Sequence, residues 1–188
     1  MAGEIDELTL ARARRGDASA LTDLMRHYQR PVYALVGRLL VGRAAAARDD
    51  VAQESFIRVF RGIARFDPAG QARLSTWILT VATRTCLNAL RDGRRAEAIR
   101  PEPGPVAAPD DPERSAAERQ LRLRVEAAMA ALPEEMRAVL VLRAYHDFDY
   151  DEIAAAVGVE VGTVKSRLAR ARAALREVLT EENSLERA

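Results

Sequence analysis

A cluster of prolines most limits how this chain can fold. Residues 101–112 read PEPGPVAAPDDP and hold five of the eight prolines. Proline removes a backbone donor and turns the residue before it away from helical geometry, so the stretch suits neither a helix nor a sheet interior. Its acids and prolines also leave it little to bury. The pattern predicts a flexible linker over residues 96–115. One folded unit then precedes it (1–95) and a second follows it (116–188). A long ordered loop inside a single domain is the other reading of the same residues. The 188 residues suffice for one domain or two small ones.

Charge is sorted along the chain although the net charge is only +1. Residues 161–179 carry five bases (Lys165, Arg167, Arg170, Arg172, Arg176) and one acid, Glu177, a local charge of +4. Residues 96–118 carry six acids and two bases, a local charge of −4. The single cysteine, Cys86, excludes an internal disulfide and a cysteine-rich zinc site. His27 and His146 are far apart, with no metal-type spacing. No metal or cofactor is expected. No apolar run approaches membrane-spanning length, and the N-terminus lacks a signal-peptide core, so a cytoplasmic protein without stable membrane insertion is expected.

Both units read as helices, giving an all-α chain. Asp17 is a plausible cap for a helix through Arg26 and Tyr28. Val51, Ala52, Ser55, Phe56, Val59, Phe60 and Ile63 recur at helical spacing, with Asp49, Asp50, Gln53, Glu54, Arg58 and Arg61 on the other side. Asp67-Pro68-Ala69-Gly70 breaks the pattern, and Ser75 suits a cap for a helix from Thr76 to about Asp92. After the linker come helices over about 116–131 and from Pro133 to near Tyr145. Asp149 and Glu152 form a D-x-x-E capping pattern, and Gly158 suits a left-handed stop. A final helix covers roughly 161–182.

The last two helices have helix-turn-helix form. Residues 150–173 read YDEIAAAVGVEVGTVKSRLARARA. Ala154 and Ala155 permit close approach, and Val164, Leu168, Ala171, Leu175 and Val178 form one apolar stripe. At about 100° per residue, Lys165, Arg172 and Arg176 flank it on one side, and Thr163, Arg167 and Arg170 on the other. Ser166 lies nearly opposite. A basic helix with a packed back can enter the major groove. A solvated basic face is the plain alternative, which the capped helix and glycine turn disfavour.

These residues carry a resemblance. Residues 131–179, ALPEEMRAVLVLRAYHDFDYDEIAAAVGVEVGTVKSRLARARAALREVL, resemble region 4 of bacterial sigma factors, most closely the extracytoplasmic-function (ECF) group. GTVKSR followed by RAR is its most specific part. Residues 50–67, DVAQESFIRVFRGIARFD, resemble the D-x-x-Q-E-x-F-x-x-x-[FW] stretch of region 2. Residues 74–95, LSTWILTVATRTCLNALRDGRR, resemble the helix that follows it. The resemblance covers most of the chain except the linker and the ends. Two positions depart from the pattern: Arg84 stands where the group usually has asparagine, and Asn88 where it often has aspartate.

The resemblance implies a factor that binds core RNA polymerase, recognises promoter DNA and helps open it, without covalent chemistry. It implies that Asp49, Asp50, Gln53, Glu54 and Phe56 engage the polymerase clamp. For Asp49 and Asp50 helix capping is the alternative, and for Phe56 a place in the core. The loop from Asp67 to Leu74, with Gly70 and Gln71, matches the group's reader of the −10 element, and a plain interhelical turn is its alternative. Arg84, Asn88 and Arg91 extend that surface. Arg94 and Arg95 continue the basic run. Trp77 reads as a packing residue. Thr163, Lys165, Ser166, Arg167, Arg170 and Arg172 match the reader of the −35 element. An anti-sigma partner is implied as well. A helix-turn-helix regulator that ignores polymerase shares the second half but not the first. An enzyme is disfavoured by the lack of a nucleophile–base pair, metal cluster or glycine-rich phosphate loop.

Overall fold

The computed structural model describes residues 4–97 and 116–185 of the chain. Most of the expected linker, residues 98–115, lies outside the described residues, as do the ends. Eight α-helices and one short 3₁₀ turn make up the described part, which contains no strand. The first unit holds α1 (Glu7–Arg14), α2 (Ala18–Leu39), α3 (Ala45–Gly62), the 3₁₀ turn Ile63–Arg65 and α4 (Leu74–Glu97). The second holds α5 (Ala116–Ala131), α6 (Glu134–Tyr145), α7 (Tyr150–Val157) and α8 (Val161–Leu185).

In the first unit α2, α3 and α4 pack mutually, and α1 closes over α2. The expected cap holds: Asp17 Oδ1 accepts from the Ala20 N–H at 3.0 Å. That bond, and then the Arg12 guanidinium, hold the Asp17 carboxyl below its usual range. The helix it starts runs past Tyr28 and through Pro31 to Leu39. Beyond the proline, Val32, Leu35, Val36 and Leu39 are buried, and their packing outweighs the backbone bond that Pro31 cannot make. One expected helix start is corrected, and the capping alternative for Asp49 and Asp50 falls away. α3 begins at Ala45, with Ala44 as an N-cap that makes no side-chain bond. Asp49 and Asp50 are therefore interior helix residues, not caps. α4 begins at Leu74, so Ser75 is already helical. Its backbone N–H donates to Glu4 Oε1 at 3.3 Å, and its hydroxyl donates to the same oxygen. The N-terminal segment thus supplies the acceptor that the start of the helix needs.

The second unit follows the expected pattern closely. Pro133 is the N-cap rather than the first residue of α6, which ends at Tyr145 as read. Asp149 accepts from the Glu152 N–H at 2.8 Å, and the Glu152 carboxylate accepts from the Asp149 N–H at 2.9 Å. Together they make the capping box of α7. Gly158 ends that helix at φ 73°, where a side chain would be strained.

The two units are not separate in space. α7 packs against α4, and α6 packs against α2. Arg137, only 6% exposed, ties them together. Its guanidinium donates to the carbonyls of Met129, Ala130 and Leu132 at 2.8–3.0 Å, capping the end of α5. The same group donates to the Leu39 carbonyl at the end of α2, at 3.0 Å. Nearby, the Arg38 guanidinium lies 4.1 Å from the centre of the Tyr145 ring.

Candidate nucleic-acid and polymerase interfaces

The helix-turn-helix places its basic residues as their spacing requires. Val164, Leu168 and Ala171 of α8 are fully buried against α6 and α7. That anchoring turns Lys165, Ser166, Arg170 and Arg172 to solvent, with Thr163 and Arg167 half-buried at the edges. Burial of three apolar side chains therefore decides which face the bases occupy. Tyr150 adds a detail that periodicity does not show. Its ring lies 5.8 Å from Lys165 Nζ and 5.7 Å from the Arg143 guanidinium carbon. The first helix of the pair thereby helps set the direction of a basic side chain on the second.

On α3 the polar and apolar faces separate cleanly. Ala52, Ser55, Phe56 and Val59 are buried, whereas Asp49, Asp50 and Gln53 are exposed. Phe56 is 4% exposed and lies 6.1 Å from Phe60 between ring centres, so it belongs to the core. It can support an interface from behind but does not present a surface. Glu54 is paired with Arg58, Nε to Oε1 at 2.7 Å. Ile57 is 42% exposed on this otherwise polar side, an apolar residue that the sequence reading passed over. Its signal was available: it falls four residues after Gln53, on the same face.

The segment before α4 is a built turn rather than an extended loop. Asp67 Oδ1 accepts from the Ala69 N–H at 3.0 Å, and the Asp67 carbonyl accepts from the Gly70 N–H at 3.1 Å. A Cβ on Gly70 would sit 3.1 Å from that carbonyl oxygen, tighter than ordinary contact. Asp67, Gly70 and Gln71 are all exposed. Trp77 packs as expected: its ring lies 5.3 Å from Phe66, and a Cβ on Gly62 would meet its Cζ2 at 3.0 Å.

Further along α4, Arg84 and Arg91 are exposed and Asn88 is half-buried. Arg91 donates to the Asn88 side chain. Arg84 does something different. It reaches across to α7, with Nη2 at 2.7 Å from the Ala155 carbonyl and Nε at 3.4 Å from that of Ala156. Thr76, which the sequence reading did not single out for this role, donates to Glu152 Oε1 at 3.1 Å. The structure thus gathers Asp67, Gly70 and Gln71 at the start of α4 and sets Arg84, Asn88 and Arg91 along it. The α3 set stands on another helix, and the α8 set belongs to the second unit.

The described residues contain no cluster of His, Cys, Asp and Glu that could hold a metal ion. No helix among them is long and apolar enough to cross a membrane. Burial pushes the Cys86 thiol up to about 12, leaving it neutral in the core.

Comparison with known proteins agrees with this layout. Residues 24–96 match the family model for sigma-70 region 2, and residues 122–175 match that for sigma-70 region 4. RNA polymerase sigma-H factor of Pseudomonas aeruginosa is 32% identical, with 94% of each chain covered. The ECF RNA polymerase sigma-E factor of Salmonella typhimurium is 34% identical over 90% of this chain and 92% of its own. Among solved structures, CnrH in complex with the cytosolic domain of CnrY is similar at TM-score 0.64 and 26% identity. That likeness covers 94% of this chain and 97% of CnrH. RpoE of Bartonella quintana, solved with the anti-sigma factor NepR, shares the fold at TM-score 0.67 and 21% identity. It covers 84% of this chain and 97% of its own. The chain belongs to the ECF group of sigma-70-type RNA polymerase sigma factors.

Proposed function

We propose that three surfaces divide the work of this sigma factor, which binds core RNA polymerase, directs it to specific promoters and helps melt the −10 region. The outer face of α3, with Asp49, Asp50, Gln53, Glu54 and the exposed Ile57, docks on the polymerase clamp, while Phe56 holds that face from the core. The turn at Asp67, Gly70 and Gln71, continued by Arg84, Asn88 and Arg91 on α4, reads the −10 element. The basic face of α8 reads the −35 element through Thr163, Lys165, Ser166, Arg167, Arg170 and Arg172. Residues 1–95 and 116–188 are then the two working domains, and residues 96–115 join them.

One observation carries this reading. α3 and α8 each bury an apolar side in the core, Phe56 included, and turn the polar resembling residues to solvent or to the edge of the buried side. The α3 face is acidic and amide-bearing, suited to a protein partner. The α8 face is basic, suited to phosphates and base edges. The chain works in the cytoplasm, where polymerase and promoters are, and its part is binding and strand separation rather than covalent catalysis. An anti-sigma factor is its regulator, by analogy with RpoE of Bartonella quintana, which was solved with the anti-sigma factor NepR.

Transcription from pooled genomic fragments by core polymerase tests the whole reading. With this protein added, discrete start sites sharing two upstream motifs are expected. Transcripts identical to those from core alone overturn it.

A further inference from the structure

The turn assigned to the −10 element is anchored at both ends and bare between them. Phe66 and Leu74 are buried, whereas residues 67–73 are all exposed. Asp67 braces the near end by accepting from the Ala69 and Gly70 N–H groups. The far end is the start of α4. The Arg73 carbonyl accepts from the Trp77 N–H at 3.0 Å, the first bond of that helix, so Arg73 stands at its N-cap. An N-cap side chain normally accepts from the N–H two or three residues on. A guanidinium has only donors and cannot do so.

Glu4 supplies what Arg73 lacks. Its carboxylate accepts from the Ser75 N–H, at 3.3 Å through Oε1 and 3.4 Å through Oε2, and Oε1 also accepts from the Ser75 hydroxyl. Ser75 is two residues beyond Arg73, a position that a cap from within the helix would serve. The negative charge also lies at the positive end of α4. Glu4 is held there from the other side. The Tyr28 hydroxyl donates to Glu4 Oε2 at 3.1 Å and accepts from the Ile5 N–H at 3.3 Å. Tyr28 is 1% exposed, and burial raises its phenol pKa, so the hydroxyl keeps the proton that it donates. Ile5 packs on the core, and Asp6 caps α1 by accepting from the Thr9 N–H at 2.9 Å. Three consecutive residues thus fix the segment to α4, α2 and α1.

We propose that Glu4 is a positioning residue for promoter recognition: it caps α4 from a distant part of the chain and so fixes the far end of the turn that reads the −10 element. The inference rests on the assignment of that turn. Without the carboxylate, Arg73 cannot hold the Ser75 N–H, and the first turn of α4 frays. The freedom gained by Gln71 and its neighbours must be lost again when the turn closes on a base, which weakens binding. A cap of this kind shifts such an equilibrium about fivefold. None of these bonds involves α8, so the effect is confined to the −10 end.

Holoenzyme assembled from core polymerase and the full chain tests this on a promoter fragment recovered by the pooled transcription above. One probe is a fork junction whose −10 strand is already unpaired, and the other is a duplex carrying only the −35 element. Glu4→Ala is expected to bind the fork about fivefold more weakly than wild type. Binding of the −35 duplex, competition for core and helix content by circular dichroism should be unchanged. Arg73→Ser places a cap within the helix itself. In that background Glu4→Ala should cost nothing further. An equal loss there would mean that Glu4 acts through Tyr28 rather than through the cap, and overturns the proposal. So does a Glu4→Ala variant that binds the fork as tightly as wild type or more tightly, and so does one that loses both probes alike. The reading beneath it fails by a different result: Asp67→Ala and Gln71→Ala that leave fork binding and its base preference unchanged would show that the turn does not read the −10 element, and the role of Glu4 falls with it.

Discussion

Single residues show how burial changes chemistry here. His146 is 8% exposed, and its Nε2 has no hydrogen-bond partner among the described residues. Burial, and then the nearby Arg38, lower its pKa from 6.5 to about 4, against a smaller opposing pull from Asp147. The unfolded chain takes up this proton near pH 6.5 and the folded chain only near pH 4. Between those values the unfolded state binds more protons, so stability falls as pH falls. The full loss by pH 4 is about 3 kcal/mol. Thermal unfolding of His146→Leu should therefore lose less midpoint between pH 7 and pH 4.5 than wild type does. Equal losses would show that His146 stays charged, or does not titrate differently, in the folded protein. His146 was legible in the sequence only as a histidine without metal spacing. Its burial depends on α2, more than a hundred residues away.

At the scale of the helix, periodicity alone settled most of the outcome. The stripe Val164, Leu168 and Ala171 is buried as its spacing requires, and the basic flanks face out. Arg167→Ala and Arg170→Ala should each weaken binding of the polymerase–sigma complex to promoter DNA. A lost bidentate base contact should cost about 1–3 kcal/mol and relax the preference at one −35 position. A lost phosphate contact should weaken all sequences alike and lower the salt slope by about one. Binding titrations on specific and scrambled duplex at several salt concentrations separate the two, and unchanged affinity with unchanged slope removes these residues from the interface. On α3, Gln53→Ala with Glu54→Arg should abolish competition for core polymerase. Both side chains point away from the core, and Glu54 is paired with exposed Arg58, so stability should change by less than about 0.5 kcal/mol in urea. Normal competition with intact folding would place the polymerase contact elsewhere. Helix starts were less legible than helix faces. Ser75 has the right chemistry for a cap, yet α4 begins before it because Glu4 arrives from the N-terminus to accept its hydrogen bonds.

Across the whole molecule, one buried arginine joins elements that lie far apart in sequence. Arg137 donates to three carbonyls at the end of α5 and one at the end of α2. Burial pulls its pKa down, but an arginine remains charged at any ordinary pH. Replacing it with methionine keeps much of the volume and strands four carbonyls. Unfolding in urea should show a loss of about 3 kcal/mol or more, since buried groups left unpaired cost about 1–3 kcal/mol each. Arg137→Lys keeps the charge but not the planar fork and should recover only part of the loss. A methionine variant as stable as wild type would mean that water or a rearranged backbone satisfies those carbonyls.

The sequence by itself determined the helices, their buried and exposed faces, and the capping box and glycine stop around α7. Each of these depends on interactions a few residues apart, so spacing and residue type suffice. The same residues carried the resemblance to region 2 and region 4, and with it the family. Tertiary structure alone decided that α7 lies on α4, that Arg84 caps it, and that Arg137 joins α5 to α2. These contacts connect residues 71 to 98 positions apart, and their acceptors are backbone carbonyls that every residue possesses. A carbonyl has no signature in the sequence. Which one a buried arginine meets is fixed only when the helix ends have been brought together by packing.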